Sequence, residues 1–514
     1  MIVVRTWAVA LTGLQGALIE VEADITQHKP DFRLIGMPDK ALGEAVRRVT
    51  NACENSGLAL PDRRLTVNLS PASLPKQGSG FDLAVAMAAL STDGRVDPDS
   101  LARTVHIGEL GLDGRVRAIP GVLPSVLAAV AAGRPRVVVP EENRAEAELV
   151  TGAEVTGVRS LAEAARLHGA DVDDAVLVGP DPVPAVLPAP ESRAVNPPAD
   201  LADVVGQPAA VDALLVAAAG GHHLLMSGPP GAGKTMLAQR LPGILPALDD
   251  AGALEVASVR SLTGEAITSL SRTPPFEAPH HSATLAALVG GGSRRASPGA
   301  IARASRGVLF IDEVAEAPRS LLDALRQPLE HGAISIHRAG FTASFPARFQ
   351  LVLAMNPCPC GEFGVAGGTC TCSPTDVRRY ASKISGPLLD RVDIDLRMQR
   401  VSRLDGNGSG GAVSSAEARE RVIAARQRAA ARLSETPWST NAEVTGSWLR
   451  EGPCALDGLA RKTLDGALQR GLLTLRAYDR VLRVAWTIAD LADHPAPDAA
   501  DIGRALFLKK GVTA

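Results

Sequence analysis

The stretch LLMSGPPGAGKTMLAQRL, residues 224–241, restricts the fold more than any other part of this chain. Three apolar residues and a serine run into a turn dense in glycine and proline, and an amphipathic stretch follows at helical spacing. Gly228, Pro229, Pro230, Gly231, Ala232, Gly233, Lys234 and Thr235 spell G-x-x-x-x-G-K-[ST] in the strand-loop-helix context that this pattern requires. Glycines let backbone N–H groups turn inward around a polyphosphate, and the following helix adds the positive end of its dipole. Lys234 is placed to reach the terminal phosphates, and the Thr235 hydroxyl to bind Mg²⁺. The expected fold around it is a mostly parallel α/β sheet that binds ATP and Mg²⁺.

A second apolar strand, in RGVLFIDEVAEAP (residues 306–318), ends in Asp312 and Glu313. One carboxylate at the end of a neighbouring strand can hold the metal shell, and the next can polarise an attacking water. An acidic strand end alone is weak evidence, but beside a phosphate loop it indicates hydrolysis, with Asp312 on the metal and Glu313 as the base.

At 514 residues the chain is too long for one core. Residues 1–172 mix short strands and helices. Proline then crowds residues 178–200, which forbids helix interior and sheet centre, so 173–200 reads as an extended linker. Residues 201–402 alternate apolar runs with amphipathic helices. A glycine-serine break at 405–415 introduces a helical region, giving a final unit of 403–514. A formal charge of −3, with 21% charged residues, gives no global basic field, so a nucleic-acid contact has to come from local patches. No uninterrupted apolar run approaches the ~18 residues of a membrane span. The first twenty residues alternate like a hairpin and lack the pattern of a signal peptide, so a cytoplasmic protein is expected.

Further motifs follow in order: DVVGQ (203–207), PHHSATLAALVGGG (279–292), ISIHRAGFTASFPARF (334–349), MNPCPCG (355–361) and SGPLLDRVDI (385–394). Together with the phosphate loop and the acidic strand end, they resemble the magnesium-chelatase-like AAA+ ATPases of the YifB family over nearly the whole chain. The resemblance implies an AAA+ P-loop domain with a C-terminal helical lid, assembled as a homo-oligomeric, hexameric ring. It implies that Asn356 senses the γ-phosphate, that Arg391 is an arginine finger delivered to the neighbouring subunit's ATP, and that Arg476 on the lid is a second sensor. Arg348 is the alternative arginine across the interface. A cation supplied in trans would make hydrolysis depend on assembly.

Residues 290–307 carry Arg294, Arg295, Arg303 and Arg306 without an acidic residue, and 332–345 read as a hairpin with His337 and Arg338 near its tip. In AAA+ motors that this chain resembles, inserts at these places line the central pore, where arginines grip phosphates through charge. The implied activity is an ATP-driven DNA motor, a helicase or branch-migration enzyme of DNA uptake and homologous recombination. The alternative is a chelatase-like ATPase that remodels a partner protein. His280 and His281 read as capping or packing residues.

Residues 71–90 and 106–143 resemble the proteolytic domain of Lon-type proteases, a fold shared with ribosomal protein S5 domain 2. The Ser-Lys dyad of that family does not carry over, since Gly80 stands in the nucleophile's place, with Ser79 one position early, and Leu123 in the lysine's. The resemblance implies a scaffold without protease activity.

Four of six cysteines lie at 358, 360, 370 and 372. In extended chain, residues two apart face the same way, and Pro359 favours extension, so each C-x-C pair can present two thiolates. Cys358, Cys360, Cys370 and Cys372 then close a tetrahedral Zn²⁺ site, serve as free or redox-active thiols, or have no specific role. Cys53 and Cys454 read as small buried hydrophobes.

Overall fold

The computed structural model describes residues 3–36, 39–76, 78–173, 199–292, 296–338, 341–365, 367–401, 413–456 and 458–510. Most of the expected linker and of the glycine-serine break lie outside these residues. The front of the chain builds strands β1 (Val4–Thr12), β2 (Gln15–Thr26), β3 (Asp31–Ile35), β4 (Arg64–Ser70) and β5 (Val105–His106). A two-residue ladder, β6 (Glu109–Leu110) with β7 (Val116–Arg117), follows, then β8 (Arg136–Pro140) and β9 (Glu154–Val158). Seven of these form one mixed sheet in the order β3-β4-β2-β1-β5-β8-β9. The alternation in the first residues does form a hairpin, β1 antiparallel to β2, with inward positions such as Ala8, Ile19 and Val21 fully buried. The helix Asp82–Ser91 is buried along its whole length.

The second sheet is formed by β10 (Leu224–Ser227), β11 (Phe276–Glu277), β14 (Val308–Ile311), β17 (Gln350–Met355) and β18 (Ile394–Arg397). Its order is β11-β14-β17-β10-β18 and every neighbour is parallel. β14 and β17 are buried at every position, as expected of strands covered on both faces. Two small ladders interrupt the sequence, β12 (Gly290–Gly291) with β13 (Ser297–Pro298) between β11 and β14, and the hairpin β15 (Ala333–Arg338) with β16 (Phe341–Pro346) between β14 and β17. The C-terminal helices Ser415–Arg432 and Leu475–Ala492 pack onto the helix Pro208–Gly220, and Ala499–Lys510 packs onto Leu475–Ala492 and β18, in one cluster that contains Ala425, Val481, Ala485 and Ile502.

The two sheets share packing. Ala257 and Ile267 bury against Val122, Leu123 and Val126 of the front sheet's helix Val122–Ala131. Leu11 and Leu14, at the turn of the first hairpin, pack in the cluster that contains Ala343 and Phe345 of β16. Among the described residues no helix is long and apolar enough to cross a membrane.

Candidate nucleotide site

Strand register brings the polar residues together. Ser227 of β10 pairs with Met355 of β17, and Ile311 of β14 pairs with Leu353. One residue beyond these pairs the chain leaves the sheet as Gly228, Asn356 and Asp312, so three loops open side by side at the carboxyl ends of parallel strands, where open α/β sheets bind ligands. Gly231 (φ +78°) and Gly233 (φ +89°) occupy the left-handed region, which residues with a Cβ rarely adopt. Gly233 caps the helix Lys234–Ile244, leaving its first N–H groups without intrahelical partners.

Lys234 is almost wholly buried, and its Nζ donates to the carbonyls of Gly228 (2.6 Å) and Pro229 (3.1 Å) and to Oδ1 of Asn356 (3.1 Å). Burial lowers its pKa, opposed by the charges of Asp312 and Glu313. The Thr235 hydroxyl donates to Oδ2 of Asp312 at 2.6 Å. An oxygen pair at this separation, one hydroxyl and one carboxylate, is a fitting start for a Mg²⁺ shell completed by phosphate and water. Glu313 follows with φ +48°, its N–H donating to Asp312 Oδ1 at 2.8 Å. This unusual backbone turns its side chain toward the edge strand, where Oε2 meets Nδ1 of His281 at 3.0 Å. Thr235, Phe276, His280, His281, Asp312 and Glu313 border a cavity of about 280 Å³.

Three supporting residues were not legible as such. His281 follows edge strand β11 and looked like a packing residue; nothing local to the sequence announces a partner 32 positions away. Gln207, inside a recognised motif but without a role, donates from Nε2 to the carbonyls of Ala232 (3.3 Å) and Gln399 (2.6 Å), tying the phosphate loop to the chain beyond β18. Arg400 donates to the carbonyl of Pro230 at 3.4 Å and to Glu362 at 2.8 Å.

The arginines expected at the nucleotide lie apart from this chain's phosphate loop. Arg391 forms an ion pair with Glu330 and donates to the carbonyl of Pro387 at 2.5 Å. Arg476 pairs with Asp390 at 3.0 Å and keeps its side chain 77% exposed. Burial, then the charges of Arg326 and Arg476, lowers the pKa of Arg391, so these cations form one patch. Arg348 is exposed, and its carbonyl accepts from the N–H of Arg306 at 2.7 Å.

The expected basic insert changes in composition. Arg303 is held by Glu277 at 3.0 Å and Arg306 by Glu255 at 2.9 Å, both acids coming from outside the insert. They are ion-paired supports, and the count of arginines available for phosphates falls accordingly. Arg294 and Arg295 lie outside the described residues. Arg338 ends β15, its backbone opposite Phe341.

The four clustered cysteines do converge: Sγ of Cys358 is 3.3 Å from that of Cys360 and 3.8 Å from that of Cys370, and Cys360 is 3.6 Å from Cys370. Ligand atoms of all four lie within 4.8 Å of one another. Zn–S bonds of about 2.3 Å in a tetrahedron give sulfur edges of about 3.8 Å, so the donor set fits the ion in identity and spacing. The route to this geometry differs from the extended pairs expected. Cys358 and Cys360 sit on a turn closed by Gly361 N–H to the carbonyl of Cys358 at 3.0 Å. A backbone N–H from Glu362, then the Cys358 thiol, lowers Cys360 to about 6, while, against a backbone hydrogen bond, burial and the neighbouring thiols raise Cys370 and push Cys372 up to about 12. Cys53 and Cys454 are buried, as expected.

In the front domain Lys76 donates to the carbonyls of Pro71 (2.5 Å) and Leu74 (3.3 Å), and the Ser79 hydroxyl donates to Glu109. Leu123 is fully buried, and a Cβ on Gly80 would come within 2.9 Å of Ile119. The serine and the lysine thus have different partners.

Family models match three parts of the chain: subunit ChlI of magnesium chelatase over residues 21–143, magnesium chelatase subunit ChlI over 200–405 and its C-terminal part over 412–509. An uncharacterized protein of Mycobacterium tuberculosis is 48% identical over 98% of both chains. Competence protein ComM of Haemophilus influenzae is 40% identical, and the uncharacterized protein YifB of Escherichia coli 39% identical, each over 94% of this chain and 92% of the relative. Lon protease 2 of Bacillus subtilis is 26% identical over 32% of this chain and 31% of its own length.

Proposed function

The chain belongs to the magnesium-chelatase-like family of YifB and ComM, an AAA+ family that implies ATPase activity, and from that premise we propose that it is a ring-forming DNA motor. The observation that carries the ATPase part is the convergence of Lys234, Thr235, Asp312 and Asn356 at three adjacent strand ends. The DNA part rests on similarity to a competence protein over 94% of the chain.

In this reading residues 1–172 are a Lon-like scaffold, 201–402 the motor and 403–514 the lid. Residues 228–235 wrap the phosphates, and Lys234 exchanges its carbonyl partners for phosphate oxygens while keeping Asn356. Thr235 and Asp312 would hold Mg²⁺, which supplies neutralising charge to the phosphates. Glu313 orients the attacking water once its carboxylate leaves His281. Arg391, with Arg476 beside it, serves the ATP of the adjoining subunit, which accounts for both lying off their own phosphate loop. Arg294, Arg295 and Arg338 contact DNA phosphates in the pore of a hexamer, and the four cysteines hold a structural Zn²⁺.

ATP turnover should rise several-fold with forked or single-stranded DNA and the effect should fade as salt increases. Glu313→Gln should bind ATP yet lose turnover by about 10²–10⁴-fold, the usual worth of a positioned base. Lack of any DNA response at low salt, with Glu313→Gln behaving as stated, would favour the second reading, a chelatase-like ATPase acting on a partner protein. That reading draws on the three family matches to a chelatase subunit.

A further inference from the structure

The cysteine loop touches the phosphate loop from outside. Cys358 lies two residues beyond Asn356 and is fully buried. Immediately after Cys360 the chain turns at Gly361 with φ +82°, and a Cβ there would lie 2.6 Å from Cδ of Pro230 and 2.9 Å from its Cγ. Glycine is required on both counts: the conformation is left-handed, and the backbone presses on the second proline of the phosphate loop. The next residue, Glu362, accepts from Arg400 Nη2 at 2.8 Å, while Nε of the same guanidinium reaches the carbonyl of Pro230 at 3.4 Å. Pro230 is therefore held by Gly361 against its ring and by an arginine on its carbonyl, and both holds originate in the turn that joins Cys360 to Phe363.

That turn has little else to fix it. Residues 358–372 contain no helix or strand among the described residues, and Phe363 is 51% exposed. Among the described residues three backbone bonds tie the segment to itself, from Gly361, Val365 and Gly368 N–H to the carbonyls of Cys358, Glu362 and Val365, and the rest run to sulfur, including Phe363 N–H to Sγ of Cys358 at 3.3 Å. A loop of this kind takes its shape from the ion that joins its thiolates, because binding energy at such sites becomes ordering energy.

We infer that the tetrathiolate knot is a strut for the phosphate loop, so that metal occupancy at Cys358, Cys360, Cys370 and Cys372 sets the affinity for nucleotide. The inference rests on the proposed Zn²⁺ site and extends it from stabilising its own loop to pre-organising the one that binds phosphate. Phosphate loops bind through fixed backbone N–H groups, so slack at Pro230 costs affinity directly.

The test uses full-length protein purified without chelators, with zinc measured by elemental analysis and affinity by titration of a fluorescent ADP analogue. Wild type should carry one zinc per chain. Cys370→Ser should lose it and bind the analogue about tenfold more weakly, in line with the effect of disturbing the surroundings of a metal site. Gly361→Ala should keep zinc and still weaken binding severalfold, because it pushes on Pro230 without touching a thiol; this variant also serves if Cys370→Ser does not fold. Zinc lost with affinity unchanged, or Gly361→Ala with zinc and wild-type affinity, overturns the strut while leaving the metal reading intact. Wild type without zinc overturns both.

Discussion

At the carboxyl ends of β10, β14 and β17, Lys234, Thr235, Asp312 and Asn356 turn toward one another around an opening. In the front domain Lys76, Ser79 and Asp82, drawn from a stretch just as rich in polar residues, each turn to a different partner. Lys76 takes backbone carbonyls, Ser79 takes Glu109, and Asp82, 2% exposed, takes a two-pronged bond from Arg48 at 2.6 and 3.1 Å. Both regions bury a lysine ammonium, but Asp82 is buried while Asp312 is half-buried and Glu313 exposed. Thr235, Asp312 and Glu313 of the first border one cavity of about 280 Å³ together, whereas in the second Ser79 and Glu109 border a cavity of about 250 Å³ that Lys76 and Asp82 do not line. In the second, the same chemical groups have become internal braces. A polar cluster is thus read by what its members face, and residue type alone does not distinguish a site from a scaffold.

The largest effect expected lies at the first region. Arg391→Ala should lower turnover by about 10³-fold or more, the scale of an arginine finger, as measured by phosphate release. Mixing it with Lys234→Ala protein should recover part of the activity, since each subunit then supplies what the other lacks. Recovery failing, with both variants assembled, would mean that the site is complete within one chain.

Arg48→Ala tests the second region. Removing one partner of a buried pair should destabilise the front domain by about 3–5 kcal/mol in urea melts. Burial already raises Asp82 to about 6 against the pull of Arg48. Without the arginine its neutral form is favoured further, so the variant's deficit should shrink as pH falls from 7.5 toward 5. A deficit unchanged by pH would deny Asp82 the charge assigned to it.

His281→Ala should release Glu313 and raise basal turnover by up to about tenfold, the equivalent of ~1.4 kcal/mol for one close polar contact to a carboxylate, with the KM for ATP little changed. A fall in kcat would instead make His281 part of the productive arrangement. The smallest effect belongs to Ser79→Ala. It should leave ATP turnover unaltered and shift stability by no more than about 1 kcal/mol. Loss of a casein-cleaving activity in this variant would undo the contrast between the two regions.

Much of the first region was legible because its chemistry is local. A phosphate loop has to be glycine-rich, has to follow a strand and has to open a helix, so residues 224–241 announce both fold and ligand within eighteen positions. Asp312 was readable for a related reason, standing just beyond an apolar strand, whereas Asn356 came from the resemblance of its motif to that of the YifB family. The front hairpin and the long C-terminal helices followed from their periodicity. His281 against Glu313, Gln207 against Ala232 and Arg400 across Pro230 were hidden, since each contact joins segments that only strand order brings together. Arg303 and Arg306 looked like free basic charge because their acids, Glu277 and Glu255, come from other elements.

The cysteines mark the division most clearly. Sequence alone determined that four thiols would sit behind Asn356, and even that they could share an ion. It placed them in extended pairs, because two-residue spacing in a strand is what local geometry favours. The tertiary structure decided on a turn instead, and with it the contact of Gly361 on Pro230. Spacing along the chain limits which groups can meet, whereas packing between distant segments fixes what they meet and therefore what the cysteine loop can act upon.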